Sequence, residues 1–149
     1  MRALFAIALV AALGGTTAAD DKAALKALEG TYLLVGLETK GFKLTPDALK
    51  KEDPAERKLV IKGDQIIATT KGKDDPATIK IDASKTPPHI DITSVKDGKT
   101  EVNHGIYKFE KDVLTICALE KGDPKDRPTK FEAGDKYLLL VLEKQPAKK

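Results

Sequence analysis

The chain has 149 residues and a formal net charge of +3, with 26 basic and 23 acidic residues interspersed rather than blocked. That is a solvated surface, not the concentrated basic face with stacking aromatics that nucleic acid requires, and a chain with no Trp sets that partner aside. A single cysteine, Cys117, excludes an intramolecular disulfide, and a domain of this size can bury enough surface to fold without one or a metal.

The first nineteen residues read as a secretory signal peptide. Met1 and Arg2 lead into an apolar core from Ala3 to Leu13. Small residues follow up to Ala19, and polarity switches at Asp20. Cleavage after Ala19 is expected, which removes Arg2 and leaves +2 on the side chains of the chain that remains. No cysteine lies near that junction to carry a lipid, and no second apolar run is long enough to span a membrane. The expected location is therefore outside the cytoplasm, in the periplasm or beyond the cell.

From Asp20 to Leu28 the sequence predicts a brief helix, with Asp20 and Asp21 at its positive end and Gly30 just past its close. Thr31–Leu37 is the first strand. Thr45 is a good N-cap with Pro46 at the first helical position, so a second short helix or turn is expected over Thr45–Lys51. Lys58–Lys62 and Gln65–Thr70 form a hairpin around Gly63-Asp64. Lys73-Asp74-Asp75-Pro76 reads as a turn, followed by the alternating strand Ala77–Asp82 and a break over Ser84–Pro88. His89–Thr93, Thr100–Phe109 and Asp112–Leu119 are the next strands. A long polar loop, Glu120–Asp135, precedes the nearly all-apolar strand Tyr137–Glu143, and a basic tail, Lys144–Lys149, ends the chain.

Eight strands with turns every eight to twelve residues indicate an antiparallel sandwich or barrel. The first and last strands are the most apolar and the least alternating. Exposed edges of that kind invite aggregation, and pairing them with each other abolishes both. The expected fold is thus all-β, an eight-stranded antiparallel up-and-down barrel of lipocalin-like type with a short N-terminal helix, spanning residues 20–143. A two-sheet sandwich is the alternative.

Several local motifs carry a resemblance. Leu28-Glu29-Gly30-Thr31-Tyr32 is similar to the Leu-x-Gly-Thr-Trp opening of lipocalin-like domains. Gly105-Ile106-Tyr107, Asp112-x-Leu114-x-Ile116-Cys117 and Arg127-Pro128-Thr129-x-Phe131 follow in order. Together they resemble a family of exported lipocalin-like domains abundant in planctomycete bacteria, over about residues 25–143. The resemblance implies a barrel and export but no activity, since those domains have none established. Tyr32 stands where Trp is usual, implying lighter packing at the barrel base, and the middle motif of true lipocalins has no counterpart here. Fold alone does not supply a function.

Strand parity indicates what points inward. Lys80 and Asp82 outside place Ile79 and Ile81 inside; Asp91 and Thr93 do the same for Ile90 and Ile92; Lys108 places Tyr107 and Phe109 inside. Asp112 and Thr115 favour Leu114 and Ile116 inside, and Tyr32 with Leu34 join from the first strand. This lining suits either a filled core or a small apolar cavity gated by loops.

Polar candidates are few. His89 and His104 have no metal-ligand spacing, and parity puts His104 on the outer face. Asp91 shares a strand face with His89, so a charge-assisted pair is open to them, but no activated serine lies nearby. Asp74-Asp75 and Asp20-Asp21 lack the alternation of a calcium loop. Cys117 faces outward beneath the long loop, as a buried inert thiol or an exposed one. Arg127 precedes Pro128 in that loop, and Arg57 is the one other arginine beyond the leader. An arginine there can clamp a carboxylate or fold across a barrel end to cap Tyr32 or Tyr107, with Phe131 pinning the same loop.

The functional expectation is a non-enzymatic binding module without cofactor or metal. Its expected ligand is a small apolar molecule held by Tyr32, Leu34, Ile79, Ile81, Ile90, Ile92, Tyr107, Phe109 and Arg127. The alternative is a protein-interaction or structural module of the cell envelope with a filled core. An enzyme would depend on His89 and His104 as its best candidates.

Overall fold

The structure, a computed structural model, describes residues 18–146. The expected leader through Thr17 and the last three residues of the basic tail lie outside the described residues. An N-terminal helix α1 (Ala18–Leu28) precedes nine strands: β1 (Gly30–Thr39), β2 (Phe42–Leu44), β3 (Lys58–Lys62), β4 (Gln65–Thr70), β5 (Lys73–Asp82), β6 (His89–Lys96), β7 (Lys99–Glu110), β8 (Val113–Leu119) and β9 (Tyr137–Lys144). A one-turn helix α2 (Pro46–Leu49) and a 3-10 turn (Pro54–Arg57) lie between β2 and β3.

Every neighbouring pair from β3 to β9 is antiparallel, β1 pairs with β3, and β9 returns to pair with β1. That last ladder runs from Tyr32↔Lys144 to Glu38↔Leu139, with a bulge between Leu34 and Gly36, and it closes an eight-stranded barrel. The two most apolar strands therefore satisfy one another, removing both edges. The ninth strand, β2, was not expected from sequence. It folds back on the end of β1 as a short hairpin, Leu37↔Leu44 to Thr39↔Phe42.

One expected turn is instead strand. Asp74, Asp75 and Pro76 lie within β5, paired with Thr69, Ala68 and Ile67, and the chain reverses at Lys71-Gly72, both with positive φ. Pro76 is tolerated because β6 joins β5 only from Thr78↔Thr93 onward, so its missing N–H leaves no gap in a ladder on that side. Thr45 caps α2 as its sequence suggests, accepting from the Ala48 amide at 3.3 Å.

The core sits inside the barrel. Tyr32, Ile61, Ile66, Ile79, Ile81, Ile90, Tyr107, Leu114, Ile116, Ala118 and Leu142 form its buried cluster, with Leu28 from α1. α1 shuts one end. Leu28 packs on the core, the Tyr32 hydroxyl donates to the Leu28 carbonyl at 2.7 Å, and Asp21 accepts from the Ala83 amide at 3.0 Å. The Tyr32 ring meets Phe109 edge to face at 6.5 Å, and Lys144 Nζ lies over Phe109.

The loop between β8 and β9 builds a second apolar layer on the outer wall. Ile106, Cys117 and Leu119 point outward by parity, yet each is at most 1 % exposed. Lys108 Nζ stands 4.9 Å over the Phe131 ring, and the Tyr137 hydroxyl donates to the Asp126 carbonyl at 3.1 Å. Cys117 Sγ lies 3.5 Å from the Glu132 carbonyl, and burial pushes its thiol pKa up, so it behaves as an inert apolar side chain.

Two outcomes test this packing. Gly105→Ala would set a Cβ 2.5 Å from the Cys117 carbonyl oxygen and 3.0 Å from Ala118 Cα, both backbone atoms. It is expected to destabilise the barrel by about 1–3 kcal/mol, read as a Tm lowered by about 4–12 °C; an unchanged Tm refutes this strand spacing. Burial first, and then the Asp112 charge, push the Tyr32 phenol from 10.0 up to about 12. A pKa raised on folding gives stability that is complete below about pH 10 and drains away as pH climbs toward about 12. Alkaline denaturation of Tyr32→Phe should lack that component, seen by comparing its pH–stability curve with the parent's.

Candidate functional site

The closed end and the open end of the barrel differ in what they bury. At the end away from α1, the inward side chains Leu34, Leu59, Ala77, Ile92 and Leu140 pack on the core but remain half-buried. The 3-10 turn before β3 packs against β4 and β1 at this end. Between it and the barrel wall lies a cavity of about 180 Å³ walled by Leu34, Leu59, Ala68, Leu140 and Leu142, with Thr70, Glu56, Arg57 and Lys58 also on its border. Sites for drug-sized ligands run to roughly 300–1,000 Å³, whereas a dry cavity of about 150 Å³ takes benzene. The space therefore suits one small apolar body of about six carbons.

Local chemistry places Arg57 at this mouth. Asp53 caps the turn, accepting from the Ala55 amide at 2.9 Å, and Pro54 supplies the fixed φ of its first position. Arg57 ends the turn. Its Nη1 donates to the Leu34 carbonyl at 3.1 Å, where β1 has passed its β3 pairing at Leu33 and has not reached its β2 pairing at Leu37. The guanidinium thus bridges a gap in the wall. Its Nε is buried and makes no hydrogen bond among the described residues. A buried donor left unpaired costs about 1–3 kcal/mol, more for a charged group. The neighbouring Glu56 carboxylate is turned away, accepting from the Lys71 amide.

A second polar cluster sits on the outer wall. Asp91 on β6 lies directly across from His104 on β7. Asp91 Oδ1 is 2.9 Å from His104 Nδ1 and 2.8 Å from Arg127 Nη2. A carboxylate only accepts, so Nδ1 carries the proton. Arg127 Nη1 also donates to the carbonyls of Gly105 at 2.7 Å and Ile90 at 3.3 Å. Asp91 is 30 % exposed while His104 and Arg127 are 13 % and 14 % exposed, so this is a sheltered ion pair in which both Nη groups of Arg127 are engaged. His89, on the same face, has its pKa lowered by burial and then by the Arg127 charge, which keeps its imidazole neutral near pH 7.

The structure sorts the expected lining residues into three places. Tyr32, Ile79, Ile81, Ile90 and Tyr107 are buried in the filled core, and Phe109 joins them at the α1 end. Ile92 packs half-buried on the core, and Leu34 borders the cavity. Arg127 is a correction: it caps neither Tyr32 nor Tyr107 but lies outside the barrel on Asp91, because its loop folds over the wall rather than the end. Asp91 takes His104 rather than His89, because in an antiparallel pair the residue directly opposite is nearer than the i+2 neighbour. Sequence reading passed over Arg57, Leu59, Ala68 and Leu140. The available signal was the Asp53-Pro54 helix start, which sets Arg57 one step before a strand.

Among the described residues there is no group of three or more His, Cys, Asp or Glu able to hold a metal, and no helix is long and apolar enough to cross a membrane. No family model, curated protein or solved structure matches the chain.

The outer cluster predicts a mechanical role. Asp91→Asn removes the charge that holds Arg127, and should cost about 1–3 kcal/mol while raising amide exchange across residues 120–136. Exchange in that segment equal to the parent's would refute the clamp.

Proposed function

We propose that this protein is an exported, non-enzymatic module of lipocalin-like type that binds a small apolar molecule in the mouth of its barrel. The single observation supporting this is the cavity of about 180 Å³, apolar along Leu34, Leu59, Ala68, Leu140 and Leu142, at the end that α1 leaves open. A barrel evolved only as a scaffold would gain from filling that space, since each missing methyl group forfeits packing of about 1 kcal/mol. Export rests on the leader-like first nineteen residues, and the lipocalin-like assignment on the motifs Leu28–Tyr32, Gly105–Tyr107 and Arg127–Phe131. The two histidines do not argue for catalysis: His104 is committed to Asp91, and neither faces the cavity.

A second reading is a protein-interaction module of the cell envelope. It is favoured by an apolar groove of about 200 Å³ on the outer wall, along Val35, Gly36, Leu44, Leu139 and Val141, near the exposed Phe42.

Thermal-shift and calorimetric titration with hexanol and benzyl alcohol separate the two. The mouth reading expects both compounds to raise Tm in proportion to concentration. It expects Leu140→Phe, which fills the cavity, to weaken binding at least tenfold with the fold intact. Neither compound stabilising the parent protein would rule it out and leave the outer groove as the better account.

A further inference from the structure

The mouth holds an apolar wall and, beside it, a cation whose hydrogen-bonding capacity is mostly unspent. Arg57 and Arg127 make the contrast plain. Arg127 spends both Nη groups, on two backbone carbonyls and on Asp91, and has no buried nitrogen without a partner. Arg57 donates once, through Nη1 to Leu34. Its Nε and Nη2, the parallel pair of N–H groups along one side of the guanidinium, make no hydrogen bond among the described residues, and Nε is buried.

That free side is the edge that receives the two oxygens of a carboxylate in a bidentate pair. None of the three acids near this end serves as an internal substitute: Asp74 accepts from the hydroxyl of Thr69, which also borders the cavity, at 2.7 Å. Glu56 accepts from the Lys71 amide, and Asp75, opposite Ala68 on β5, is exposed and does not border the cavity. Lys58 on the border adds a second positive charge. From this geometry, and resting on the mouth-binding reading above, we infer that the ligand is a small monocarboxylate. Its body of about six carbons lies against Leu34, Leu59 and Leu140, and its carboxylate pairs with Arg57 at the rim. The polarity follows from solvation. A carboxylate pushed into the apolar cavity would lose its water uncompensated, whereas at the rim it exchanges water for a fixed pair of charged donors.

The test is a matched series on the parent protein: hexanoate, hexanol and hexylamine, titrated by calorimetry at low ionic strength and again at high salt. Hexanoate should bind about tenfold or more tightly than hexanol, and hexylamine weakest. Salt should narrow the gap between hexanoate and hexanol only partly, because the pair is sheltered. Arg57→Gln should abolish the preference for hexanoate over hexanol, measured as the ratio of the two affinities on that variant, and Arg57→Lys should restore part of it. Hexanol binding as well as hexanoate, or hexylamine better than either, would overturn the carboxylate assignment while leaving the mouth reading in place. No binding by any of the three would remove both. The parent series decides the question even where the Arg57 variants fold poorly.

Discussion

Closure of β1 on β9 is the constraint on which the remainder of this molecule depends. Each of these strands is apolar on both faces, which an open sheet cannot shield at two separate edges. Their ladder gives each an inner face in the common core and an outer face in the wall, and makes Leu142 and Leu34 neighbours across the seam. The seam is imperfect. The bulge between Leu34 and Gly36 re-aims the second half of β1, and Gly36 lets Val141 approach to the limit of contact, its side chain 3.3 Å from where a Cβ would stand. β1 ends its pairing with β3 at Leu33, just before the bulge, and takes β2 as its partner only from Leu37. The opening that Arg57 bridges is thus a consequence of how the barrel closes.

The same closure explains why the two ends are unlike. At one end α1 supplies Leu28, whose carbonyl satisfies the Tyr32 hydroxyl, so the more deeply buried of the two core tyrosines is paired. At the other, the 3-10 turn beside the cavity has no buried residue of its own, and Leu49 of the preceding α2, though buried, is not part of the core cluster. The turn's last side chain is a charged one that stops at the rim. The interior is therefore full below and hollow above, which reconciles a packed core with a small cavity. These were alternatives at the level of sequence, and the barrel contains both at different heights.

Alternation made most of the fold legible. Ile79, Ile81, Ile90, Leu114 and Ile116 could be placed inside from the polar residues between them, and all five are buried there. Parity also put Cys117 outside the barrel, and it is buried only because the β8–β9 loop covers it. Features depending on register between distant segments were not legible. Asp91 meets His104 because β6 and β7 pair at that position, not because of spacing along the chain. Pro76 reads as a turn until the incomplete overlap of β5 with β6 is known. Arg127 could be recognised as a clamp, but its direction depended on where a sixteen-residue polar loop would lie. Arg57 was hidden by a similar limit: a sequence shows that a cation follows a capped turn, not which carbonyl it reaches.

The two arginines also show why a lone cation is better interpreted by its unmet needs than by its rarity. Both sit among many lysines, and both contact backbone carbonyls across more than twenty residues of sequence. Arg127 is enclosed by acceptors, and the energy of those bonds goes into holding a loop against the wall. Arg57 holds a wall together with one bond and keeps a buried donor idle. If bridging the β1 gap were its whole task, a lysine could reach the same carbonyl without the cost of an orphaned Nε. The shape of the guanidinium, rather than its charge alone, is what the scaffold leaves without an internal explanation, and the residue borders the cavity at the end that α1 leaves open.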